Sequence, residues 1–284
     1  MVVRLQALRQ TARRTTMSDL DNTPRAKRFL QTVSDLSGGD VSNLNVLDLG
    51  CAHGLYSLEL ARRGARTLGV EGRKSWLAQA NQMKADGKLS GANFVQGDVR
   101  DLNPNKYGTF DVVLCLGLLY HLDAADALRL LKTSYDVCNK YVLIDTQIAV
   151  EPAESREIDG EIYWGSSYRE HAERASTETK EATLGASLDD EFSFWFTRPS
   201  LLNALRVAGF TSVFEVRNPI DNVYAHGEFK MHADVITLVA MKGKPIGGFL
   251  GASAQGQAEA AWPEDIAPFT LHRPWSKPPQ ATRI

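Results

Sequence analysis

The chain has 284 residues, enough for one enlarged or two ordinary domains, and its 43% hydrophobic and 23% charged content excludes a disordered, collagenous or coiled-coil protein. With 32 Lys and Arg against 34 Asp and Glu, the net charge of -2 gives no overall electrostatic footprint for nucleic acid or an anionic membrane. No apolar run reaches the ~20 residues that cross a bilayer, and three cysteines without metal spacing suit a reducing compartment, read here as the cytoplasm.

Residues 1–22 carry Arg4, Arg9, Arg13 and Arg14 and read as a flexible leader, although such a composition also occurs in transit peptides. From Asn45 onward, short β-branched runs alternate with helical patterns, the signature of parallel βαβ units. Strands are expected at 45–49, 67–70, 93–96, 110–115 and 141–145. Between the first two, Leu55, Leu58 and Ala61 recur at helical spacing, and Gly64 suits a left-handed cap. Asp123 can cap a helix whose apolar face includes Leu128, Leu131 and Tyr135.

Residues 146–198 break the alternation. Positions 151–191 hold twelve acids against four Lys or Arg, together with Tyr163, Trp164 and Tyr168. A connection of this length usually has its own helices and often covers a site, so a helical or irregular insertion is expected, serving as a substrate lid or as a plain solvated excursion. Thr197 and Gly209 then bracket a helix with Pro199 in its first turn, and strands follow at 212–216 and 235–241. Six of the eleven prolines fall within 243–284, so that segment is expected to be an irregular tail behind a main domain spanning 23–242.

The informative segment is Asn45-Val-Leu-Asp-Leu-Gly-Cys-Ala-His-Gly54, a buried strand running into a glycine turn and then a helix. Gly50 and Gly54 let the backbone turn sharply and approach a ligand, and in an open α/β sheet that turn lies in the crevice at the strand ends. A dinucleotide loop would read G-x-G-x-x-G. Here the spacing is Gly50-x-x-x-Gly54, and Asp48 sits at the strand end, where an acid repels phosphate and suits a ligand with an ammonium group, such as the methionine end of S-adenosylmethionine. A nicotinamide-dependent oxidoreductase is the rival enzyme class, and it lacks its turn here.

Three further features follow in order. Thr67-Leu-Gly-Val-Glu71 ends the second strand with a carboxylate that could accept from both ribose hydroxyls, or that is merely an exposed acid. Phe94-Val-Gln-Gly-Asp98-Val99 ends the third with an acid and an N–H suited to an adenine ring, or with an Asx turn. Phe110-Asp-Val-Val-Leu-Cys-Leu-Gly-Leu-Leu-Tyr-His121 is a buried strand leading into a turn with Tyr and His.

Together these segments resemble the class I S-adenosylmethionine-dependent methyltransferases over roughly residues 45–145. The resemblance implies a doubly wound, mostly parallel seven-stranded sheet whose last strand is antiparallel, with S-adenosylmethionine as cofactor. It assigns Asp48, Gly50, Cys51 and Gly54 to the first motif, Glu71 to the ribose and Asp98 with Val99 to adenine. Leu116 and Gly117 fall on the turn after strand four. His121 is also similar to the Tyr-His turn of some small-molecule O- and C-methyltransferases and of enzymes that modify a tRNA wobble uridine.

Transfer to a hydroxyl or amine needs a base, and His121 is the candidate, the alternative being a helix-start histidine that only packs. Tyr120, Asp145 and Trp164 are the candidate substrate contacts, and no metal site is expected. The acidic insertion argues against a polyanionic substrate, so a small-molecule acceptor methylated on oxygen or nitrogen is expected, with a homodimer allowed. A tRNA-modifying enzyme and a non-catalytic cofactor-binding module are the alternatives.

Overall fold

The computed structural model describes residues 24–216, 235–244 and 252–253, so the leader 1–22 and most of the tail 243–284 lie outside the described residues. Five parallel strands form at the expected β-branched runs: β1 (Asn45–Leu49), β2 (Arg66–Glu71), β3 (Ala92–Gln96), β4 (Phe110–Leu116) and β5 (Cys138–Gln147). The helices before and between them are α1 (Pro24–Leu36), α2 (Leu55–Arg62), α3 (Lys74–Gly87), the one-turn α4 (Pro104–Tyr107) and α5 (Ala124–Val137). As expected, Asp123 caps α5 by accepting from the Asp126 N–H at 2.8 Å.

Downstream, α7 (Arg198–Ala208) starts at a Thr197 cap and ends at Gly209 with φ 114°, and β9 (Ser212–Glu215) and β10 (Val235–Met241) return to the sheet. The order is β3-β2-β1-β4-β5-β10-β9, with β10 antiparallel to both neighbours and the two-residue β11 (Ala252–Ser253) pairing beyond β9. These seven strands make the expected mostly parallel, doubly wound sheet with an antiparallel strand among its last. Period-two alternation divides its apolar side chains between two buried faces. Leu47, Val113 and Ile144 join Leu130, Leu131 and Leu205 from α5 and α7, while Val46, Leu114 and Leu143 meet Phe29 and Val33 from α1.

The insertion departs from expectation. In place of a mainly helical or irregular excursion it forms a second, antiparallel sheet of β6 (Glu154–Ile158), β7 (Glu161–Arg169) and β8 (Phe192–Phe196), with the short α6 (Thr177–Ala182) between β7 and β8. The cause is local. Asp159 and Gly160 both take positive φ, 54° and 81°, the geometry of a two-residue type I′ hairpin turn. β7 and β8 are rich in aromatic residues, and their inner face places Tyr163, Phe194 and Phe196 in the same core as α5 and α7. Among the described residues no helix is long and apolar enough to cross a membrane.

Because that core is shared, the second sheet should unfold with the first. Phe196→Ala is expected to cost about 3–5 kcal/mol with a single urea transition, whereas a separate early transition would show that the insertion is an independent unit.

Candidate functional site

The glycine turn after β1 forms the floor of a crevice at the carboxyl ends of β1, β2, β3 and β4. Gly50 and Gly54 hold φ of 62° and 81°, and a Cβ on Gly54 would fall 2.6 Å from the Phe94 ring. Glu71, at the end of β2, locks the turn: Oε2 accepts from the Ala52 N–H at 2.8 Å and Oε1 from the Arg73 N–H at 2.7 Å. A carboxylate has lone pairs beyond those two donors, and Glu71 lines the crevice with Gly50, Asp98, Val99, Gly117 and His121.

Asp98 caps a 3₁₀ turn (Val99–Asp101) and is gripped by Arg100, whose Nε approaches Oδ1 and Oδ2 at 3.0 and 2.9 Å and whose Nη2 lies 2.7 Å from Oδ2. Although burial pushes its pKa up, Arg100 holds Asp98 below the usual carboxylate range. The Val99 N–H, first in that turn, has no partner within it.

Other candidates lie beneath the crevice or beside it. Asp48 is 2% exposed, its Oδ2 accepts from the Ser57 hydroxyl at 2.9 Å, and it does not line the opening. Burial raises its pKa to about 7. Cys51 is buried and its thiol is pushed far up by the same desolvation. Leu116 packs against the core face that α1 covers. Asp145, at the end of β5, is buried, pairs with Arg25 from α1 and accepts from the Thr237 hydroxyl at 2.8 Å. Among the described residues no cluster of His, Cys, Asp and Glu is arranged to hold a metal. Trp164 is not brought to the site: its side chain stands on the outer face of β7, 47% exposed, because alternation along the strand gives the inner positions to Tyr163 and Gly165.

His121 closes the 3₁₀ turn (Leu119–His121) after β4, and its Nδ1 lies 3.0 and 3.1 Å from the two carboxylate oxygens of Glu170. Burial raises the Glu170 pKa, but hydrogen bonds from His121, Ser193 and Ser187 bring it below the usual range. An ionised carboxylate only accepts, so Nδ1 carries a proton, and in the neutral ring the acceptor is then Nε2. Tyr120 lies against the His121 ring at 4.2 Å between centroids and edge-on to Trp195, whose Nε1 donates to the Tyr120 carbonyl at 3.0 Å.

The opposite wall of the crevice comes from the insertion: Leu184, Ala186, Ser187, Leu188 and Asp189. Arg73 anchors it by donating to the carbonyls of Lys180, Glu181, Thr183, Ala186 and Ser187 at 2.9–3.3 Å. Arg100 adds an ion pair to Asp189 at 2.6 Å. Sequence reasoning missed Arg73, Arg100 and Glu170. A D-x-R spacing hints at Arg100, but nothing local marks Glu170, 49 residues from its histidine.

The crevice suits an adenosyl sulfonium ligand: the glycine cradle leaves no room for side chains, an acid stands on the rim, and both ring nitrogens of His53 beside the turn are buried without a partner among the described residues. A family model described as a methyltransferase domain matches residues 46–140. The O-antigen chain terminator bifunctional methyltransferase/kinase WbdD of Escherichia coli is 29% identical over 129 residues, 44% of this chain and 17% of that protein. The ubiquinone biosynthesis O-methyltransferase of Acinetobacter baumannii (strain AYE) is 29% identical over 100 residues, 35% of this chain and 42% of its own. The chain thus spans less than half the length of these curated relatives. Among solved structures, the N-terminal domain of EvdMO1 with SAH and D-fucose matches at a TM-score of 0.60 and 25% identity, over 78% of this chain and 84% of that one. An S-adenosylmethionine-dependent methyltransferase from Mesorhizobium loti shares the fold at a TM-score of 0.52 and 20% identity, over 78% and 100%.

Burial of Asp48 gives a pH signature. The folded carboxyl keeps its proton to about pH 7 and the unfolded one only to its ordinary 3.8, so this contribution to stability is full below 3.8 and is lost as pH rises through 7. Urea unfolding of Asp48→Asn should lack that slope and gain on the wild type from pH 4 to 8; parallel profiles would contradict the burial.

Proposed function

We propose that this chain, which carries a class I S-adenosylmethionine-dependent methyltransferase domain, transfers a methyl group to a hydroxyl of a small-molecule acceptor, with His121 as general base. The observation that carries the reading is the meeting, in one crevice, of Gly50, Glu71, Asp98 and Gly117 with a histidine whose Nε2 is free to accept.

Bound there, S-adenosylmethionine supplies an electrophilic methyl group on a sulfonium. Glu71 would accept from the ribose hydroxyls with the lone pairs that Ala52 and Arg73 leave, and the Val99 N–H and the Arg100-fixed Asp98 would flank the adenine. Gly50 keeps a side chain out of the cradle, and Gly54 lets the turn pack against Phe94 and Ala80. Asp48 would lie below the turn, held by Ser57, and would ionise in response to an ammonium group bound above it. His121 would take the proton of the acceptor hydroxyl on Nε2, and Glu170 would stabilise the resulting imidazolium through Nδ1. Proton removal by a placed base contributes about 10²–10⁴-fold.

A sugar hydroxyl is the acceptor class with most support. The EvdMO1 domain was crystallised with D-fucose, the WbdD name refers to O-antigen, and Tyr168, stacked on Trp195 at 4.7 Å, offers an aromatic surface near Tyr120 and His121. Tyr120 and Asp145 would border the acceptor beside Gly117, where the Arg25 guanidinium also lies.

Two variants separate cofactor from acceptor chemistry. Glu71→Ala should weaken S-adenosylhomocysteine binding by about tenfold or more in calorimetry, since hydrogen bonds to a charged group contribute about 1.5–3 kcal/mol; unchanged affinity would remove its ribose role. His121→Ala should lower labelled-methyl transfer to monosaccharide acceptors by about 10²-fold or more while binding S-adenosylhomocysteine like the wild type. Full transfer by that variant would return His121 to packing alone.

A further inference from the structure

The base and the covering wall of the crevice share one carboxylate. Glu170 follows β7, its side chain is 1% exposed, and its two oxygens take every donor around them. Oε1 accepts from the Ser193 hydroxyl at 2.7 Å and lies 3.1 Å from His121 Nδ1; Oε2 accepts from the Ser187 N–H at 2.8 Å and lies 3.0 Å from the same Nδ1. Ser187 is therefore held on both sides of its backbone. Its carbonyl accepts from Arg73 Nη2 at 3.1 Å and from His171 Nε2 at 2.8 Å.

The Arg73 guanidinium sets the position of that wall. Five carbonyls between residues 180 and 187 converge on it, and Arg73 directly follows Gly72, where a Cβ would lie 2.7 Å from the Leu188 side chain. The Arg73 backbone N–H donates to Glu71 at 2.7 Å, so the rim acid of the crevice and the anchor of its cover sit two residues apart at the end of β2. Ser187 borders the opening between Glu71 and residues 184–189, and its N–H is one of the donors that fix Glu170.

We propose that Glu170 is a positioning residue that couples the covering segment 183–190 to the base: with Ser187 seated, Glu170 holds His121 as the Nδ1–H tautomer with Nε2 ready to accept, and with the segment displaced that constraint is released. This rests on the reading of His121 as base. Its consequence is that the proton acceptor is assembled only in the covered crevice, where water is excluded, and relaxes when product leaves. Arg73, which makes no contact with His121, would control the same tautomer at a distance through Ser187.

The test reads the imidazole directly. In the full chain labelled with ¹⁵N-histidine, the His121 signals are identified by their loss in His121→Asn, and long-range ¹⁵N–¹H correlations report which ring nitrogen carries the proton. Wild type is expected to hold the Nδ1–H form. Glu170→Gln should lose that bias, and so should Arg73→Met and Ser187→Pro, which remove the anchor and the Ser187 donor respectively, with circular dichroism verifying that each is folded. With monosaccharide acceptors, Glu170→Gln should show a fall in kcat with little change in KM, and Glu170→Asp should recover part of it. Retention of the wild-type tautomer in Glu170→Gln, or in both of the other variants, overturns the proposal. A wild-type chain that fails to bind S-adenosylhomocysteine instead overturns the functional reading beneath it.

Discussion

A single carboxylate at the end of β2 holds the site together. Glu71 takes the N–H of Ala52 on one oxygen and that of Arg73 on the other, joining the glycine turn after β1 to the start of α3. Without that bridge the turn has no reason to hold Ala52 at a φ of 48°, a conformation that favours glycine, and Arg73 loses one of the constraints that aim it at the insertion. The floor of the crevice and the anchor of its cover thus depend on one acid, which also stands on the rim where a ligand would meet it.

Around this centre the charges of Arg73 and Glu170 are taken up by the groups packed against them. The Arg73 guanidinium is spent on backbone carbonyls, a neutral set of acceptors that defines one shape for residues 180–187. Glu170 is surrounded by donors and remains ionised, so it acts on His121 by fixing a tautomer. Asp48 is the contrasting case. Burial raises its pKa to about 7 against the lowering effect of its hydrogen bond from Ser57, so a cationic neighbour would find it responsive.

Much of the fold was legible in the sequence because local signals and global arrangement agree. The run from Asn45 to Gly54, the Asp123 and Thr197 caps and the Gly209 terminus are read from neighbouring residues, and the structure realises them at those positions. The insertion is not legible from its length, which suggests helices of its own, whereas the Asp159-Gly160 pair is a local hairpin signal. The site was legible only where it lies at strand ends: Glu71, Asp98 and His121 line the crevice, but Trp164 falls on the outer face through strand parity, and the burial of Asp48 depends on α2 closing over it. Glu170 and Arg73 act across tertiary contacts 49 and up to 114 residues apart, where no periodicity carries information.

The central claim is that the crevice at the strand ends accepts an adenosyl amino acid and not a dinucleotide diphosphate. Thermal unfolding of the full chain with S-adenosylhomocysteine and, separately, with NAD tests it most directly, because a ligand at 100 times its dissociation constant adds about 2.7 kcal/mol of stability. The account predicts a saturable rise in melting temperature with S-adenosylhomocysteine and none with NAD; stabilisation by NAD with indifference to S-adenosylhomocysteine would contradict it.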